Sequence, residues 1–199
     1  MIPFNRSCFT GDEMSYIAEA FAAAAVAGDG PFTKKAEGLL KLNFPGCERV
    51  LLTTSCTHAL EMSAILLDLQ PGDEVIVPSY TFVSTALAFA MHGARVVFAD
   101  VRPDTLNLDE EQLSELITPR TRAIVPVHYA GVGCEMDAIM ALANQHGLVV
   151  IEDNAHGLFG RYKGRALGTI GHLATQSFHG TKNITCGEGG ALVVNDPQF

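Results

Sequence analysis

The sequence predicts an α/β protein: a mostly parallel, seven-stranded sheet covered by helices. Three features predict it. Short apolar runs rich in Val, Ile and Leu recur between stretches with helical spacing. The runs are continuously apolar, as strands buried on both faces are. The last two runs follow one another with no helix between them.

Two helical segments come first. Residues 13–26 are rich in Ala, with Ile17 and Phe21 four apart on one face. Residues 33–44 carry Ala36, Leu39, Leu40 and Phe44 as an apolar stripe, with Thr33 as the expected N-cap. Gly28-Asp29-Gly30-Pro31 breaks the chain between them. Strands are then expected at 50–53, 74–77, 95–100, 123–127 and 148–152, alternating with helices at 57–69, 81–92, 109–117 and 136–146. Further strands are expected at 172–178 and 191–194. Their short connection cannot make a parallel crossover, so the final strand should be antiparallel. Residues 1–48 read as an N-terminal helical segment and 49–199 as one large α/β domain. The chain stops just after a strand, where such a domain normally continues, so a further C-terminal domain is expected to be absent from it.

An apolar fraction of 48% beside 18% charged residues is that of a well-packed globular protein. The 13 basic and 22 acidic residues leave a net charge of −9. No basic run exceeds Lys34-Lys35, which argues against a nucleic-acid or anionic-membrane partner. Cys8, Cys47, Cys56, Cys134 and Cys186 are odd in number and lack C-x-x-C spacing, a pattern of reduced thiols in a cytoplasmic protein. The N-terminus lacks a secretory pattern, and no stretch approaches the ~18 apolar residues of a membrane span.

Ligands of open α/β sheets bind beyond the carboxyl ends of the strands, and three stations stand there. Thr53-Thr54-Ser55-Cys56-Thr57 joins a strand to a helix. Its hydroxyls and free N–H groups suit a phosphate, although plain N-capping by Ser or Thr explains them as well. In Pro78-Ser79-Tyr80-Thr81-Phe82, a ring could stack on a planar ligand or simply fill the core. Glu152-Asp153-Asn154-Ala155-His156 ends an apolar strand with a carboxylate and an imidazole. Asp153 there could cap a helix, bind a metal, or hold a proton on a pyridine nitrogen. His128 and His156 lack the spacing of a metal pair, and no metal is expected.

Lys182 follows, in Ser177-Phe178-His179-Gly180-Thr181-Lys182-Asn183, among small and apolar neighbours. An arbitrary lysine is usually a surface residue, but a desolvated one has a lowered pKa and attacks carbonyls. A phosphate cradle, a stacking ring, an aspartate and a late lysine together point to pyridoxal 5'-phosphate.

These stretches, with Pro126-Val127-His128-Tyr129-Ala130-Gly131, resemble the DegT/DnrJ/EryC1 family of sugar aminotransferases. The resemblance implies the cofactor-binding large domain of an aspartate aminotransferase-like fold (fold type I). It makes Lys182 the Schiff-base lysine and Asp153 the partner of the ring nitrogen. It sets His156 beside the cofactor's phenolic oxygen and Phe82 on its ring. Ser55, Cys56, Thr57 and Ser177 fall around its phosphate. Dehydrating relatives carry His in place of the lysine, so Lys182 favours transamination. Asn154 stands where Ala is common and is given no role. The resemblance further implies a homodimer, a nucleotide-linked keto sugar as substrate and glutamate as amino donor. The stretches 1–5, 28–33 and 51–57 are similar to those of members acting on dTDP-4-keto-6-deoxyglucose to make the 4-amino-4,6-dideoxygalactose. That likeness implies a role in polysaccharide biosynthesis. A 3-keto-sugar aminotransferase, the enzyme making the 4-amino arabinose of lipid A, and a fragment that binds cofactor without turnover are the other readings.

Overall fold

The computed structural model describes Ile2, Arg6 and residues 9–199. Cys8 and most of the 1–5 stretch lie outside the described residues. In chain order the elements are α1 (Glu13–Ala22), α2 (Pro31–Asn43), β1 (Arg49–Thr53), α3 (Cys56–Leu66), β2 (Glu74–Pro78), α4 (Val83–Ala90) and β3 (Arg95–Ala99). After them come α5 (Leu113–Leu116), β4 (Thr121–Ile124), α6 (Met136–His146) and β5 (Val149–Asp153). A small hairpin, β6 (Arg161–Tyr162) with β7 (Arg165–Ala166), precedes β8 (Leu173–Ser177) and β9 (Gly190–Val194).

Seven strands form one sheet in the order β1-β9-β8-β5-β4-β2-β3. β9 runs antiparallel to both β1 and β8, and the remaining pairs are parallel. The expected seven strands and reversed last strand are therefore present. Side-chain alternation divides the core. Val75, Val77 and Ile151 pack under α3 and α4, with Leu60 and Phe89. Ile76, Ile124 and Val150 point the other way, against Met136, Ile139 and Ala143 of α6. On that second face Phe44 at the end of α2 meets Val50, Ala174, Ala191 and Val193.

The boundaries differ from expectation for local reasons. α1 ends at Ala22 instead of Val26, and Ala24 takes a positive φ of 50°. α2 starts at Pro31 with Gly30 as N-cap, so Thr33 lies inside the first turn and is not the cap. Proline suits that first position because its φ is preset and its missing N–H would have no partner there. The expected helix at 109–117 is a 3-10 turn (Glu110–Gln112) followed by the short α5. Regular pairing in β4 stops at Ile124, because Pro126 has no N–H for the ladder. α6 matches its expected bounds, closed by Gly147 at φ 65°. The hairpin β6–β7 was not expected; strands of two residues carry no readable alternation.

One buried carboxylate organises the carboxyl end of the sheet. Glu152 is fully buried. It accepts the Nε2–H of His128 at 2.7 Å and the N–H groups of Gly168, Ile170 and Gly171 at 2.8, 2.7 and 2.7 Å. Nδ1 of His128 in turn accepts the Cys134 N–H at 3.2 Å, which fixes the proton on Nε2. Burial pushes the Glu152 pKa up, but His128 and the amides of Gly171 and Gly168 outweigh it and hold it below the ordinary carboxylate value.

A depressed folded-state pKa contributes stability above the ordinary carboxylate range, and this is lost as pH falls through the folded value. Glu152→Ala, which strips four donors of their acceptor, is expected to cost about 3 kcal/mol or more at pH 7. The gap from wild type should shrink in acid. Denaturant melts at pH 7 and pH 4 would show it; a gap that stays constant or grows in acid contradicts the ionised Glu152.

Candidate active site

The carboxyl ends of β2, β4, β5 and β8 and the first turns of α3 and α4 surround a cavity of about 640 Å³. All eight residues expected at the site line it: Ser55, Cys56, Thr57, Phe82, Asp153, His156, Ser177 and Lys182. Residues up to 127 positions apart in sequence (Ser55 to Lys182) thus meet at one place, as the switch from outward to returning strand order requires.

The α3 end is shaped by close backbone packing. Ser55 is the N-cap, its hydroxyl accepting the His58 N–H at 3.2 Å. The capping role considered for it is real. The N–H groups of Cys56 and Thr57 open the helix and have no carbonyl within it to bond. β9 passes directly beneath: a Cβ on Gly190 would lie 2.4 Å from the Ser55 carbonyl carbon and 2.5 Å from the Cys56 nitrogen. Only glycine allows that approach. The Cys56 thiol points to Thr175 Oγ1 at 3.4 Å, and burial with Asp153 nearby pushes its pKa up, so it stays protonated. What Cys56 offers an anion is therefore its backbone N–H and not a thiolate. Thr57 Oγ1 meets Ser84 Oγ at 2.7 Å, tying α3 to α4.

Asp153 is buried at the end of β5. Thr85 Oγ1 donates to its Oδ2 at 2.7 Å, and the Ala155 N–H donates to Oδ1 at 3.2 Å. Thr81 Oγ1 lies 2.8 Å from Thr85 Oγ1 and extends the chain. Two fixed donors hold the carboxylate in one orientation at the floor of the cavity. Phe82 stands at the N-cap of α4 and is 74% exposed, free to cover a ligand instead of filling the core.

Lys182 sits in the connection between β8 and β9. That loop is closed at its neck by Phe178 N–H to the Gly189 carbonyl at 2.8 Å. Lys182 N–H bonds the His179 carbonyl at 2.9 Å, and Asn183 Nδ2 reaches the Leu158 carbonyl at 2.8 Å. Burial lowers the Lys182 pKa, with Asp153 and Cys56 acting against it. More of the amine is then neutral at a given pH. His156 is likewise lowered, by burial and by Lys182. Its Nδ1 accepts the Ala130 N–H at 3.2 Å, leaving the proton on Nε2.

Tyr80, the other ring considered for stacking, lines the cavity as well, and several further residues there were given no role from sequence. Among them are Thr85, Tyr129, His179 and Glu188. Asn154, given no role from sequence, is buried and donates from Nδ2 to the Leu167 carbonyl and Gln176 Oε1. Among the described residues no group of three or more His, Cys, Asp or Glu side chains is placed to hold a metal ion.

The donor set fits pyridoxal phosphate. Hydroxyls and free N–H groups at a helix start suit its phosphate, a buried carboxylate its ring nitrogen, and a half-buried amine its aldehyde. Fold and site define a fold-type I scaffold for that cofactor. Residues 8–199 match the DegT/DnrJ/EryC1/StrS aminotransferase family, and the chain belongs to it. It is 46% identical over 156 residues to the spore coat polysaccharide biosynthesis protein SpsC of Bacillus subtilis, covering 78% of this chain and 40% of SpsC. It is 40% identical over 189 residues to GDP-perosamine synthase of Caulobacter vibrioides, covering 95% of this chain and 51% of that protein. Spr1654 of Streptococcus pneumoniae in its PLP form superposes with a TM-score of 0.90 at 30% identity, over 100% of this chain and 54% of that one. The chain thus spans about half the length of these relatives. Pyridoxal phosphate is the cofactor of the family.

Two outcomes test this geometry. An amine-acylating reagent at mildly alkaline pH should label Lys182 ahead of Lys163 and Lys34, whose ammonium forms Asp137 and Asp29 favour. Peptide mass spectrometry at short times reads the order. Thr85→Val removes a hydrogen bond to a charged carboxylate and should weaken cofactor affinity by about tenfold or more, measured by spectroscopic titration.

Proposed function

We propose that residues 49–199 form the cofactor-binding large domain, and 1–48 a leading helical segment, of a nucleotide-sugar aminotransferase. The observation that carries this reading is the meeting of Lys182, Asp153 and the start of α3 around one cavity, in a chain of this family. When bound, the cofactor supplies a pyridine ring that draws electrons from a carbon losing its proton. Asp153, oriented by Thr85 and the Ala155 N–H, keeps a proton on that ring's nitrogen. Lys182 Nζ is the covalent anchor. Its lowered pKa lets the freed amine take a proton from the amino donor and return one to the sugar carbon. His156 Nε2–H would donate to the cofactor's phenolic oxygen, and the Phe82 ring would cover the pyridine. Cys56, Thr57 and Ser177, with the cap Ser55, would hold the phosphate.

Glutamate is the amino donor in this reading, and dTDP-4-keto-6-deoxyglucose the sugar, giving dTDP-4-amino-4,6-dideoxygalactose. The stretches 28–33 and 51–57 support that choice. Likeness to GDP-perosamine synthase favours a second reading, a GDP-linked keto sugar. A cytoplasmic homodimer completes the proposal. Val83, Leu87 and Met91 support the dimer: they are exposed along one face of α4 beside the cavity, an apolar stripe that a second copy would cover.

Assays of the full-length protein test the reading. Adding pyridoxal phosphate should produce a visible band distinct from that of free cofactor, absent in Lys182→Ala. Asp153→Asn should retain cofactor and lose about 100-fold or more in turnover. NMR of products from dTDP- and GDP-linked keto sugars assigns the substrate. An unchanged band in Lys182→Ala would refute the anchor, and full activity in Asp153→Asn its partner.

A further inference from the structure

Tyr80 and Tyr129 reach the cavity from two different loops, Tyr80 after β2 and Tyr129 after β4. Their hydroxyls lie 3.0 Å apart, and their rings pack at 4.9 Å with a 58° tilt. The pair is held rigidly. The Tyr129 N–H donates to Oδ1 of the buried Asn107 at 3.0 Å, and Asn107 Nδ2 donates to the Val132 carbonyl at 3.0 Å. The Tyr129 ring also meets the His156 ring edge-on at 5.6 Å.

Hydrogen-bond accounting shows what the pair can bind. Each phenol offers one proton and accepting lone pairs. The mutual bond uses one proton, and among the described residues neither hydroxyl has a second partner. One proton and several lone pairs remain toward the cavity. A carboxylate only accepts, so engaging both tyrosines would break their mutual bond. A vicinal diol both donates and accepts, and its two oxygens are spaced much as the two phenols are. It closes a ring of hydrogen bonds with the pair intact.

Sheet order supports the same assignment. Ser177 ends β8, Asp153 ends β5, and the tyrosines follow β4 and β2, in that sequence across the sheet. Neighbouring strands are about 4.8 Å apart. A cofactor held between the phosphate-binding hydroxyls and Asp153 leaves the tyrosine side for the substrate.

We propose that the Tyr80–Tyr129 hydroxyl pair reads a vicinal diol on the keto sugar and so selects which sugars the cavity accepts. This rests on the nucleotide-sugar reading and adds to it a specificity device. Both residues are part of the binding surface, not of the proton-transfer machinery.

The test is calorimetry of the full-length protein with dTDP-4-keto-6-deoxyglucose, its GDP-linked counterpart, and 3-deoxy analogues that lack one hydroxyl of the diol. Wild type should prefer the diol over its deoxy analogue by about tenfold or more. Tyr80→Phe and Tyr129→Phe should each lose most of that preference, with glutamate affinity hardly altered. An unchanged diol preference in both variants overturns the proposal, as does an equal loss of glutamate affinity. If wild type transfers no amino group to any nucleotide-linked keto sugar, the parent reading fails and this one with it. Intact transfer with unchanged preference removes the tyrosine pair alone.

Discussion

The carboxylate of Glu152, shut away from water, fixes the frame in which the cavity forms. A buried charge of this kind is costly unless donors replace its hydration. Here four do, one from His128 and three from the turn at 168–171. Each donor belongs to a segment that leads to the cavity. His128 begins the turn carrying Tyr129, and 168–171 leads into β8, Ser177 and the lysine loop. Because side chains alternate along a strand, anchoring Glu152 on one face of β5 presents Asp153 on the other. Asp153 inherits its place on the cavity from a neighbour that does not line it.

The cavity assembles its chemistry with few fixed charges. The chain is acidic overall, at −9, and the α3 end of the cavity presents helix N–H groups and hydroxyls in place of a basic cluster. Desolvation does the tuning: it lowers Lys182 and His156 toward their neutral forms and keeps the Cys56 thiol protonated. Asp153 opposes the shift at Lys182 and still leaves it lowered. The amine is half-buried, so solvent screening moderates both effects.

Much of this was legible along the chain. Runs such as Val75–Val77 and Gly190–Val194 are buried at every position, and burial on both faces leaves a continuous apolar signal. The strand-end stations were legible because this fold concentrates small hydroxyl and acidic residues there. What escaped was pairing across distance. Nothing near Asp153 in sequence announces Thr85, 68 positions away. Nothing ties Tyr80 to Tyr129 or Glu152 to the amides of 168–171. Glu152 was read as one letter of a motif, since a carboxylate that serves structure looks the same in sequence as one that serves chemistry. Helix starts also escaped where geometry outweighed composition: Pro31 took the first position that Thr33 had been expected to cap.

The central claim is that Lys182 carries the cofactor. Borohydride reduction of the full-length protein after incubation with pyridoxal phosphate, followed by peptide mass spectrometry, tests it most directly. The account predicts a pyridoxyl-phosphate mass increment confined to the peptide containing Lys182. An increment on another lysine, or none on that peptide while cofactor remains bound, would contradict it.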